Sequence, residues 1–220
     1  MNYFAHALPF LDDPYFAAST GIPDWLTVVD RQVRVRRKHA EPFLSDENRE
    51  IVAVAGGILQ HLSDDARFHE TRAFVELSLE LTVLARDHLG ADAGFRPAFL
   101  GHLLVELLLD ATLIAENPAQ LDAYWAMLDQ VDPARIEAAV NRMAPRPSSR
   151  LAWMIDRFRS ARILSDYAED AKLLVRLNQI MGRVRLNELP ETFMQVLPEA
   201  RRKVAQRKEE LLEGIPTTNL

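Results

Sequence analysis

Two runs of this chain place imidazole and carboxylate side chains at four-residue intervals, and nothing else in it constrains the fold as tightly. In Gly56-Gly57-Ile58-Leu59-Gln60-His61-Leu62-Ser63-Asp64-Asp65-Ala66-Arg67-Phe68-His69, the residues His61, Asp65 and His69 stand at i, i+4 and i+8. On an α-helix each such step drifts by only about 40°, so the three leave from nearly one stripe. His102, Glu106 and Asp110 repeat the spacing in Gly101-His-Leu-Leu-Val-Glu-Leu-Leu-Leu-Asp110. The intervening residues there are almost all leucine. Ionisable groups on one stripe of an otherwise apolar helix are costly to bury unless they are paired or coordinated.

The class of protein follows from composition. With 220 residues, 48% hydrophobic and 26% charged, the chain suits one sizeable soluble domain. A net charge of −6 argues against a general nucleic-acid binder. Cysteine is absent, which removes disulfides, zinc fingers and thiol catalysis and leaves His, Asp and Glu as metal ligands. No basic region followed by a long apolar run opens the chain, and the run from Phe99 to Ala115 reads as too short and too polar to span a bilayer. A cytoplasmic protein without membrane or nucleic-acid partners is expected.

Helical signals run throughout. The first thirty residues read as two helices joined at Asp12-Asp13-Pro14, with Pro14 in a first turn. Glu47 and Asn48 are in capping range of the helix that carries His61. Phe74, Leu77, Leu81 and Leu84 form the next stripe, and Gly90 to Gly94 breaks it. Pro97 opens the leucine-rich helix, Asn117-Pro118 closes it, and Asp132-Pro133 starts another. Pro145-Arg-Pro-Ser-Ser149 reads as a linker between residues 1–144, holding the metal-site helices, and 149–220, with three further helices packing on them. The last of these has a charged face of the solvated kind. The expectation is a single all-α domain over residues 1–220, a compact bundle of eight to ten helices.

P-loop, Gly-x-Gly-x-x-Gly, Gly-x-Ser-x-Gly and His-Glu-x-x-His signatures are all missing. Two helices with inward-facing His and carboxylate groups build a metal site in a bundle, suited to Mn, Fe, Zn or Mg. Taken singly, His61 and Asp65 are equally an ordinary i, i+4 surface pair; the second helix with the same spacing tips the reading toward a site. His6, among apolar neighbours, reads alone as a core histidine, and Asp24 as a local cap. The basic run Arg31 to Lys38 is either a solvated connector or a phosphate contact, since guanidinium forks match phosphate oxygens.

A family resemblance adds to this. The opening Met-Asn-Tyr-Phe-Ala-His6 resembles the Met-Asn-Phe-Leu-Ala-His start of the acyl carrier protein phosphodiesterases, which are similar to HD-type metal-dependent phosphohydrolases. Gly21-Ile-Pro-Asp24-Trp stands where that family has Gly-Asn-x-x-x-Asp-Phe. Gly57-Ile58-Leu59-Gln60-His61-Leu-Ser-Asp-Asp65 resembles its Gly-Ile-x-x-His-Arg-x-Ile-Asp. The resemblance implies an HD-like fold, phosphodiester hydrolysis with a divalent metal, and metal-site roles for His6, Asp24, His61 and Asp65. Two departures stand out: Leu62 replaces the family's Arg, and His102-x-x-x-Glu106-Leu107 replaces Asp-x-x-x-Asp-His.

The expected activity is metal-dependent hydrolysis of a phosphoester, on a phosphorylated small molecule or a phosphopantetheine-type group linked to a carrier protein. Expected metal ligands are His6, Asp24, His61, Asp65, His69, His102, Glu106 and Asp110. Asp65 and Arg37 are the catalytic candidates. The alternative is a non-catalytic helical protein that binds a partner, with a relic or structural metal site.

Overall fold

The computed structural model describes residues 1–90 and 93–216. Among them are thirteen α-helices, five short 3-10 segments and no strand. The helices are α1 (Tyr3–Ala7), α2 (Pro14–Ser19), α3 (Ile22–Val29), α4 (Arg37–Ala40), α5 (Arg49–Glu70), α6 (Arg72–Leu89) and α7 (Pro97–Glu116). They continue with α8 (Pro118–Asp129), α9 (Pro133–Met143), α10 (Leu151–Ala161), α11 (Asp170–Arg183), α12 (Leu197–Gln206) and α13 (Lys208–Leu211).

The all-α class is as the sequence implies. The helices outnumber the eight to ten expected because local signals cut the chain more finely than hydrophobic periodicity suggests. Asp13 accepts a hydrogen bond from the Phe16 amide at 3.2 Å and starts α2 at Pro14. Helix α3 begins at Ile22, with Pro23 in its first turn, and only Thr20 and Gly21 separate it from α2. Asn48 accepts from the Glu50 amide and Asp132 from the Ala134 amide, both at 2.9 Å, at the starts of α5 and α9.

Contacts group the chain into two units. One combines Tyr3–Ala66 with Ala119–Arg162. Its core is aromatic: Tyr3 meets Phe158 at 4.7 Å between ring centroids, Trp25 meets Phe158 edge-on at 5.3 Å, and Phe4 meets Tyr124 at 5.8 Å. Helix α10 packs on α3 and α9. The stretch Pro145–Ser149, which reads as a linker, is a closed loop inside this unit. The Asn141 side chain donates to the Ser148 carbonyl at 2.9 Å and accepts from its amide at 2.8 Å, and Ser148 is buried.

In the same unit α5 lies hard against α2. A Cβ on Gly57 would collide with the Phe16 carbonyl and sit 2.8 Å from the Ser19 Cβ, and one on Gly56 would sit 2.8 Å from the Phe16 ring. The Gly-Gly pair therefore sets the approach of the two helices, and His61 follows one turn later.

The other unit combines Met1–Asn2, Arg67–Pro118 and Ile163–Ile215. Helix α7 is its centre, packed on α6, α12 and the 3-10 segment Ile163–Ala168. Gly101 allows the close approach to α6, since a Cβ there would run into Ser78 and Thr82. By length and apolarity α7 could cross a membrane, which corrects the sequence reading of this run as too short; 61% of its apolar window is buried inside the fold. The charged face at the C-terminal end is not merely solvated. Lys203 reaches Glu80 at 2.6 Å, Arg207 reaches Glu76 at 2.8 Å and Lys208 reaches Glu116 at 2.6 Å, tying α12 and α13 to α6 and α7.

Candidate metal centre

Helix α1 is too short to hold itself and is fixed by its rings, with Tyr3 stacked on Trp25 as well as touching Phe158. That anchoring turns His6 inward, where it is 1% exposed. The His61 ring lies over it with centroids 4.2 Å apart. Asp65, one turn beyond His61 on α5, closes the group: its Oδ1 is 3.3 Å from His6 Nε2 and its Oδ2 is 3.5 Å from His61 Nε2. One ligand atom from each of the three lies within 4.8 Å of the others. Two ligands at about 2.1 Å from a common ion and at right angles or slightly wider are roughly 3.0–3.4 Å apart. The His6–Asp65 separation falls in this range, and the His61–Asp65 separation, to the other carboxylate oxygen, lies just beyond it.

Hydrogen bonding makes the same point. Both ring nitrogens of His6 and Nδ1 of His61 are buried without a hydrogen bond. Buried polar atoms are normally paired, and clusters that are not call for an explanation such as an ion. Burial works against protonation of His6, but the Asp64 and Asp65 carboxylates outweigh it and raise its pKa. Burial and the His6 charge push His61 down to about 3. Asp65, despite burial, is held well below the usual carboxylate range, chiefly by His6. One neutral imidazole and one ionised carboxylate are thus already in the form a metal takes.

Asp64 is not among the residues expected from the sequence. It is 2% exposed, accepts a hydrogen bond from Gln60 Nε2 at 2.7 Å, and brings Oδ2 to 3.6 Å from His6 Nδ1. The i, i+4 spacing of Gln60 and Asp64 was the available signal.

Six of the eight expected ligands fall into two groups of three, one in each unit. His69, His102 and Glu106 make a second group, each again offering one atom within 4.8 Å of the others. Asp24 belongs to neither group and lies in the first turn of α3, where its carbonyl accepts from Thr27 Oγ1. Asp110 is fully buried on α7, and its charge acts with burial to raise the Tyr167 phenol pKa.

The basic run forms a cleft in the unit that holds His6. Val33 and Val35 are buried, and the arginines that alternate with them, Arg34 and Arg36, are exposed. Arg31, Gln32, Arg34, Arg36, His39 and Pro145 line a cleft of about 300 Å³. Arg37, the catalytic candidate from sequence, is exposed at the start of α4 and is not part of that lining. His39 caps α4, its Nδ1 accepting from the Arg36 amide at 3.2 Å. No family model, no curated protein and no solved structure matches the chain, and the chemistry of the site rests on its own atoms.

Proposed function

We propose that the chain is a metal-dependent hydrolase of phosphoesters, with a divalent cation (Mn, Fe, Zn or Mg) held by His6, His61 and Asp65. The observation that carries this reading is that His6, His61 and Asp65 each offer one ligand atom within 4.8 Å of the others, with His6 Nε2 buried and without a hydrogen bond. A bound cation would activate water and neutralise charge on a phosphoryl group. The protein's own groups have separable roles. Asp65 stays ionised and, at 31% side-chain exposure, is the ligand that faces the solvent side. Asp64, fixed by Gln60, stands 3.6 Å behind His6 Nδ1, the side from which carboxylates support metal-bound histidines. The cleft of Arg31, Arg34 and Arg36 supports an anionic substrate, a phosphorylated small molecule or a phosphopantetheine-type group, through bidentate guanidinium contacts.

One observation favours a second reading. The carboxylates at 3.3 and 3.6 Å from His6 could pair with its protonated form in a metal-free, non-catalytic protein that binds a partner. Protein purified without chelator and assayed for metal content, then for hydrolysis of a phosphodiester such as bis(p-nitrophenyl) phosphate, separates the two. Bound transition metal and turnover lost in Asp65→Asn support the hydrolase. Absence of metal, with no activity on adding Mn, Zn or Mg, supports the partner-binding protein.

A further inference from the structure

The second cluster has a different construction. Helix α5 ends at Glu70, and Thr71 caps α6 by accepting from the Phe74 amide at 3.1 Å. The tight turn brings the Phe74 ring back against His69, centroids 4.7 Å apart. The same ring meets His102 edge-on at 4.9 Å. One buried phenylalanine thus holds both imidazoles, whose own centroids are 4.9 Å apart. Glu106, one turn along α7 from His102, places Oε1 3.2 Å from each Nε2. The Met1 amino group lies 3.4 Å from the same oxygen.

We infer that His69, His102 and Glu106 form a second divalent-metal site, sharing no ligand with His6, His61 and Asp65. Two equal separations of 3.2 Å from a single oxygen are those of neighbouring ligands around an ion with bonds of about 2.1 Å. Two imidazoles and one carboxylate select a first-row transition dication such as Zn or Fe(II) over Ca. The side chains are 33%, 45% and 19% exposed, so water or an anionic ligand can complete the shell. Phe74 holds both rings by packing, whereas the neighbour behind the His6 ring is the Asp64 carboxylate, 3.6 Å from Nδ1.

The test is a cobalt(II) titration of the chelator-stripped full chain, followed by visible absorption and calorimetry. Wild type should take two equivalents. His102→Ala and Glu106→Gln should each lose one and keep the equivalent that His61→Ala removes. His102 is half exposed and Glu106→Gln is isosteric, so both variants should keep the wild-type circular dichroism spectrum. A stoichiometry unchanged in both overturns the inference. A single wild-type equivalent sensitive to His102→Ala but not to His61→Ala would leave the inference standing and remove the proposed hydrolase site instead.

Discussion

The imidazoles of His6 and His61 lie 4.2 Å apart between centroids with their planes inclined by 30°. Two cations that close in a buried setting would repel strongly: burial, with the charge on His6 added, pushes His61 down, while the Asp64 and Asp65 carboxylates raise His6 against burial. A shared dication with both rings neutral resolves the conflict, and the first prediction follows from that. Asp65→Asn should lose bound metal while retaining helicity, because Asp65 is partly exposed and Asn keeps its shape. Full metal content in this variant, measured by elemental analysis, would move the site elsewhere.

Gly57 has no room for a methyl group between α5 and α2. Gly57→Ala should therefore destabilise the chain by about 1–3 kcal/mol, the usual range for overpacking. Because the shift displaces His61 relative to His6, metal affinity should fall with it. Urea unfolding checks the first effect and a metal titration the second; unchanged values in both would mean that the helices separate without consequence.

In metal-stripped protein Glu106 should show its own pH dependence. Burial alone would raise its pKa, yet hydrogen bonds from His102 and His69 hold it down to about 2. The ionised form is therefore favoured by folding. That stabilisation is complete above the ordinary glutamate value and is lost as pH falls toward 2. The melting advantage of wild type over Glu106→Gln should shrink on acidification, whereas Glu209→Gln, at a side chain 85% exposed, should track wild type throughout. An advantage that grows toward low pH would contradict the assignment.

The arginine cleft should bind phosphate in a salt-dependent manner. Arg34→Glu with Arg36→Glu should abolish protection of the protein by pyrophosphate in thermal shift, while Arg37→Glu, outside the cleft lining, should weaken it far less. Equal loss in the two would return the anion contact to Arg37.

Much of this was legible before any coordinates. The i, i+4 pairs His61 with Asp65 and His102 with Glu106 follow from helical periodicity alone, and the two members of each pair meet at 3.5 and 3.2 Å. What periodicity cannot give is which distant residue meets which pair. His6 reaches Asp65 only because Tyr3 and Phe4 anchor a five-residue helix, and His69 reaches Glu106 only through the turn at Thr71. The eight residues therefore read as one site, although two threesomes form. Asp64 was harder to single out for a related reason: its spacing from Gln60 marks a pair, but nothing in that spacing shows that His6 lies against it.

The alternation in residues 33–36 limits how this segment can change. Valines 33 and 35 face the core and arginines 34 and 36 line the cleft, so exchanging either valine with the arginine that follows it would bury a guanidinium group and expose a valine. Substitution confined to 34 and 36 reshapes the cleft lining without disturbing the core.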